Sequence, residues 1–152
     1  MNELNNILVE GTSKTPQIDF NRFTGELILF GRSIPENAAK VYEPLFNWVN
    51  NYIKSPRPVT NLRLNLEYFN TASMLWVTKI IKELSKIKEH DYILFIHVYF
   101  DIDEFDKMDI EELKDIVGSL VDNIGNASIS IGVKTYGTEA NGEVVREAMV
   151  LI

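Results

Sequence analysis

The stretch VTNLRLNLEYFNTASMLWV, residues 59–77, decides how the rest of the chain is read. From Val59 to Leu66 apolar and polar residues alternate, with Leu62, Leu64 and Leu66 set against Arg63, Asn65 and Glu67. A period of two marks a strand with one buried face. Asn70-Thr-Ala-Ser73 breaks the alternation. From about Ala72 to Lys88 the apolar residues Val77, Ile80, Ile81, Leu84 and Ile87 recur at helical spacing. A strand that feeds directly into an amphipathic helix is half of a β/α unit, and the flanking sequence shows that such units repeat.

Upstream, Gln17–Phe20 and Gly25–Phe30 flank Asn21-Arg-Phe-Thr24 and read as a β-hairpin, with Gly25 free to take a positive φ. Ser33-Ile-Pro-Glu36 reads as a helix start: Ser33 as cap, Pro35 in the first turn, Glu36 reaching back. Val41, Leu45, Trp48 and Tyr52, widened by Phe46, Val49 and Ile53, give that helix an apolar stripe of about five turns. Ser55-Pro-Arg-Pro58 stops it.

Downstream, Tyr92–Phe100 is a continuous apolar run, expected as a strand covered on both faces. Asp109 caps a third helix whose stripe is Ile110, Leu113, Ile116, Val117, Leu120 and Val121, ended by Gly125. Ala127–Tyr136 gives one more strand, residues 137–142 a loop, and residues 143–152 either a short helix or a tail strand. The expected order is β-β-α-β-α-β-α-β: an α/β fold with a mixed sheet, an N-terminal β-hairpin followed by β/α units, and helices packed on the sheet. One domain over residues 1–152 is expected, with residues 1–16 as a loose leader and 137–152 as a C-terminal tail.

Composition narrows the function classes. Twenty-two acids against fifteen bases give a net charge of −7, a poor match for nucleic acid. Eight of those acids and two lysines lie between Asp101 and Asp115. With no cysteine there is no disulfide, thiolate metal site or thiol nucleophile, which fits a reducing cytoplasm. No stretch is long and apolar enough for membrane insertion, and Met1-Asn-Glu-Leu4 does not begin a signal peptide. A cytoplasmic domain that catalyses or binds another protein is the expectation.

Enzymatic signatures are sparse. There is no Walker A run, no dinucleotide fingerprint and no Gly-x-Ser-x-Gly turn. His97 reads as a core histidine and His90 as a surface one, so no metal pair is expected. Asp101-Ile-Asp-Glu-Phe-Asp106 fails as a calcium loop, because Phe105 and Asp106 fill the places of a ligand and a glycine. It reads as a solvated acidic loop. Trp48, Tyr52 and Phe46 read as core, whereas Trp76 falls off the best apolar face of its helix and is a candidate partner contact.

Glu67-Tyr-Phe-Asn-Thr-Ala-Ser73 lies where a strand ends and a helix begins, the usual ligand edge of an open α/β sheet. Asn70 and Thr71 are both N-cap types, and a plain cap is the simplest reading. The same position suits a phosphoacceptor, because free amides at a helix start favour a phosphate there.

Three segments together resemble the SiaC family of bacterial regulatory phosphoproteins: Ile34-Pro-Glu-Asn37 ahead of a helix carrying Phe46-Asn-Trp48, then Leu62-Arg-Leu-Asn-Leu66, then Tyr68-Phe-Asn-Thr-Ala-Ser73. The resemblance spans about residues 15–100. It implies a STAS-like fold and a non-enzymatic partner switch without a cofactor. It implies phosphorylation of Thr71 by a serine/threonine kinase, with Ser73 as the fallback acceptor, and removal of the phosphate by a PP2C-type phosphatase. It further implies that the unphosphorylated form binds and activates an effector such as a diguanylate cyclase, in cyclic di-GMP and biofilm signalling. Tyr68, Asn70, Ser73 and Trp76 are the expected partner-binding residues. Antagonists of anti-sigma factors commonly carry Asp-Ser-Ser-Gly at this turn, where this chain has Asn70-Thr71-Ala72-Ser73. A STAS anti-sigma factor antagonist, a small-ligand-binding module, and a Thr71 that only caps its helix are the alternatives.

Overall fold

The computed structural model describes residues 4–122 and 124–151. The ends of the expected leader and tail, residues 1–3 and 152, lie outside them. Strands β1 (Ile7–Val9), β2 (Gln17–Phe20) and β3 (Glu26–Ser33) lead into helix α1 (Ala38–Tyr52). Strand β4 (Val59–Phe69), α2 (Thr71–Leu84) and β5 (Ile93–Asp101) follow. Helices α3 (Ile102–Lys107) and α4 (Ile110–Val121) precede β6 (Ser130–Thr138) and β7 (Val144–Leu151).

The seven strands form one sheet in sequence order. β3, β4, β5 and β6 run parallel, and antiparallel pairs close both sides. Parallel neighbours need crossovers, and α1, α2 and the α3–α4 pair supply them. Alternation divides the sheet into two faces. Leu27, Leu29, Leu62, Leu64, Leu94, Ile96 and Val133 are buried in one cluster with residues of α1, α2 and α4. The register puts Glu26, Asn61, Arg63, Phe95, His97, Tyr99, Lys134 and Tyr136 on the other face.

That second face corrects the expectation for β5. No helix layer covers Phe95, His97 and Tyr99; neighbouring side chains do. His97 is 3% exposed. Its Nε2 lies 2.7 Å from Asn61 Oδ1 and its Nδ1 2.7 Å from the Tyr136 hydroxyl. An amide oxygen only accepts, which assigns the proton to Nε2 and makes Nδ1 the acceptor of the Tyr136 O–H. Arg63 bridges Glu26 and the Tyr99 hydroxyl, each at 2.7 Å.

The hairpin turn is as expected: Gly25 has φ +74°, and Asn21 Oδ1 accepts from the amides of Phe23 and Thr24. Four other boundaries move. Part of the leader is β1, tied down by the Trp48 indole, which donates to the Asn5 carbonyl at 2.7 Å. Ser33 does not cap α1; it ends β3 and is buried. Pro35 holds the preceding residue extended, and Asn37 caps instead, accepting from the Lys40 amide. The acidic segment is not a loop but begins with α3, where Asp101 caps and Asp103 and Glu104 face the positive end of the helix. The tail pairs along β6 as β7.

Candidate functional site

The strand-to-helix junction after β4 is built on four hydrogen bonds to the end of β3 and the chain just beyond it. The Asn70 amide donates to the Ser33 carbonyl at 2.9 Å, and Asn70 Nδ2 donates to the Pro35 carbonyl at 3.2 Å. Ser73 Oγ donates to the same Ser33 carbonyl at 3.0 Å and accepts from Ser33 Oγ at 2.8 Å. The Tyr42 hydroxyl completes the chain by donating to Ser33 Oγ at 2.5 Å. Burial pushes the Tyr42 phenol above its ordinary pKa, so it stays protonated and a donor.

Asn70 is the N-cap of α2, its Oδ1 accepting the Ser73 amide at 2.9 Å. The reading of Thr71 as the cap is therefore corrected: the cap is one residue earlier. Thr71 is the first helical residue and is exposed. Met74 makes the first intrahelical bond, to the Asn70 carbonyl. The amides of Thr71 and Ala72 have no acceptor among the described residues, which is the arrangement that receives an anion at a helix start.

Ser73 is 0% exposed, with both its hydrogen and a lone pair engaged. It lies beneath the surface, not on it, which corrects both roles expected for it: fallback acceptor and partner contact. Successive residues turn by about 100° around a helix, so Thr71 and Ser73 point in nearly opposite directions. Ser73 shares the inner face with Val77, Ile80, Ile81 and Leu84. Thr71 shares the outer face with Leu75, which is 59% exposed.

Tyr68 is 56% exposed, with the Arg32 guanidinium 5.1 Å from its ring centroid. Glu67 lies 3.9 Å from the same guanidinium. The β3–β4 register shifts between Gly31 and Arg32, so that Gly31 faces Leu66 while Arg32 faces Tyr68. Gly31 takes φ +105° there, a conformation open to glycine. Phe69 is 50% exposed beside Tyr68. Trp76 is half-buried: its ring meets Phe46 of α1 edge-on at 6.4 Å, with Lys79 Nζ 4.5 Å from its centroid. It sits on the α1 side of the helix, not over Thr71.

The junction thus brings Tyr68, Asn70 and Thr71 together, holds Ser73 below them and sets Trp76 to one side. Sequence reasoning missed Phe69, Leu75 and Ser33. Phe69 was hidden because β4 runs three residues past Leu66, and Leu75 because the buried stripe drew the reading to the opposite face. The signal for Leu75 is its spacing of four from Thr71. Two clefts lie elsewhere, one of about 470 Å³ at the far end of α2 and one of about 250 Å³ between β1, β2 and α1. Among the described residues no group of three or more His, Asp or Glu side chains is placed to hold a metal ion, and no helix is long and apolar enough to cross a membrane.

Comparison with known proteins places this geometry. A 98-residue match to an uncharacterised protein of Pseudomonas aeruginosa strain UCBPP-PA14 is 24% identical and covers 64% of this chain and 78% of that protein. The fold is similar to the crystal structure of apo-SiaC from Pseudomonas aeruginosa, with TM-score 0.63 and 20% identity over 84% of this chain and 98% of that one. It is likewise similar to a chain in the structure of diguanylate cyclase SiaD in complex with its activator SiaC, from the same organism. There the TM-score is 0.66 and the identity 20%, over 86% of this chain and 99% of that one. The model of the family described as SiaC family regulatory phosphoprotein matches residues 9–124, which include the whole junction. The chain belongs to the SiaC family of regulatory phosphoproteins.

Proposed function

We propose that this protein is a partner switch set by reversible phosphorylation of Thr71. A serine/threonine kinase adds the phosphate and a PP2C-type phosphatase removes it. The bare form binds and activates an effector, and the SiaC–SiaD pair makes a diguanylate cyclase the effector class to test first. The protein acts by binding, without a catalytic step of its own.

The observation that carries this reading is the contrast between two hydroxyls at one helix start. Thr71 is exposed, beside two amides that have no acceptor among the described residues, while Ser73 is sealed. A phosphate on Thr71 adds about −1.5 to −2 charges at neutral pH. The helix N-terminus favours it by roughly 0.3 to 1 kcal/mol, so modification does not unsettle the fold. Tyr68, Phe69 and Leu75 present exposed apolar surface around the same point. A partner that covers this surface also covers the Thr71 hydroxyl. Covering a dianion without a matching donor costs several kcal/mol, enough to reverse binding.

The test is intact-mass measurement of protein from its native cells, with fragmentation to place any phosphate, followed by effector binding of bare and phosphorylated protein. Phosphate on Thr71 and loss of binding support the switch. Phosphate confined to other residues, or equal binding of both forms, refutes it.

A further inference from the structure

Beyond Leu75 the outer face of α2 and the chain just past its end carry a row of cations. Lys79, Lys82, Lys86 and Lys88 are all exposed. Between Thr71 and Lys88 the single acid is Glu83, which is buried and holds Lys86 at 2.9 Å. This stretch is thus net positive by three in a chain whose total is −7. Lys82 and Lys88 have no ion pair among the described residues. Together with Lys86, Asn126 and Ser128 they line the cleft of about 470 Å³ at the end of the helix. Thr71, Leu75, Lys79 and Lys82 recur every three or four residues and so lie along one side of the helix. At 1.5 Å per residue that row is about 17 Å long.

We propose that this face docks an acidic segment of the partner protein, with an apolar anchor on Leu75, carboxylates over Lys79 and Lys82, and one carboxylate in the cleft between Lys82 and Lys88. The proposal rests on the reading of Thr71 as the switch and names the chemistry of the partner. Charge complementarity carries it. A positive patch at an interface meets a negative one, and like charge is rejected, so a lysine row in an otherwise acidic chain selects a segment of opposite sign. A phosphate on Thr71 places like charge at one end of that row, so it expels the same partner that the lysines attract.

The probe is a pair of synthetic peptides of equal length with a central Leu, one carrying Glu at helical spacing and the other Lys at the same places. Each is titrated into the isotope-labelled full chain and followed by NMR. The acidic peptide is expected to shift the amides of Thr71, Leu75, Lys79 and Lys82. It should bind about tenfold more weakly to the Lys82→Glu/Lys88→Glu variant, and more weakly as salt rises. Lys82→Gln serves as a second variant with a smaller loss in the same direction. Equal binding of the basic peptide, shifts centred away from α2, or indifference to charge reversal overturns the proposal. So does self-association of the chain that vanishes in the charge-reversed variant, because it assigns the face to a second copy. The same titration with phosphothreonine installed at position 71 separates the two readings. If the acidic peptide still binds the lysine row undiminished, the expulsion by phosphate fails while the docking surface stands. If phosphate on Thr71 controls the effector but the acidic peptide ignores α2, the switch stands and the docking surface fails.

Discussion

Acidification is expected to weaken the fold through one residue before the carboxylates contribute. Burial, helped by the charges of Arg63 and Lys134, lowers the His97 pKa from 6.5 to about 4. Both ring nitrogens are already used in the neutral form, one donating to Asn61 and one accepting from Tyr136. Below pH 6.5 the unfolded chain takes up a proton at this site that the folded chain refuses until about pH 4. The contribution of neutral His97 is therefore full above pH 6.5 and is lost as pH falls through that window. Each pH unit in the window is worth about 1.4 kcal/mol, which sets a ceiling of roughly 3 kcal/mol. The ring lies on the sheet face that no helix covers, and some solvent screening reaches it. About 2 kcal/mol is the expected loss by pH 4.5. Urea unfolding at a series of pH values, for wild type and His97→Gln, measures it. The variant begins less stable at pH 7, and the gap should close by about 2 kcal/mol towards pH 4.5. A gap that stays constant, or an imidazole that titrates near 6.5 by NMR, would refute the neutral buried histidine.

Three further outcomes follow from the junction and the hairpin. Thr71→Ala should change stability by less than about 0.5 kcal/mol in urea, since the side chain is exposed, yet abolish any phosphate control of effector binding. Asn70→Ala removes the cap of α2 and the bond to the Pro35 carbonyl, and should cost about 1 to 2 kcal/mol, read as a drop of several degrees in Tm. Gly25→Ala should cost about 2 to 4 kcal/mol in chemical denaturation, because φ is +74° and an added Cβ would stand 2.4 Å from the Val59 carbonyl oxygen.

The parts of the fold legible in the sequence are those where one period dominates. Leu62, Leu64 and Leu66 announce β4, and Leu45, Trp48, Val49 and Tyr52 announce the inner face of α1. What stayed hidden depends on partners far along the chain. Ser33 has the composition of a helix cap, but its hydroxyl is taken up by Tyr42 and Ser73, the latter forty residues away. Ile7–Val9 is too short to read as a strand until β2 supplies its ladder. Asp101–Asp106 has the charge of a solvated loop, yet Ile102 and Phe105 pack over Gly137, close enough that an added Cβ would stand 2.8 Å from the Ile102 Cδ1 methyl. The junction itself was legible as a position, from strand end to helix start. Which of its hydroxyls faces solvent was not, because that is settled by the phase of α2 against β3.

That phase gives the junction its chemical character. Thr71 and Ser73 differ by one methyl group and two positions, and as isolated residues either would serve a kinase. Modifying Ser73 would break its bonds to the Ser33 hydroxyl and carbonyl, worth about 1 kcal/mol each, and leave a dianion in a site with no exposed surface. Among the described residues the Thr71 side chain has no hydrogen bond for a phosphate to break, and the two amides beside it have no acceptor, so modification there adds charge where it is welcome. The relay through Tyr42, Ser33 and Ser73 also joins α1, β3 and α2 at a single residue, the Ser33 hydroxyl taking Tyr42 and Ser73 and its carbonyl taking Ser73, so the surface around Thr71 is held by three elements at once. A face braced in this way would keep one shape with or without phosphate. On the proposed switch, the partner then responds to charge alone, and a modification that leaves the backbone in place still changes which protein is bound.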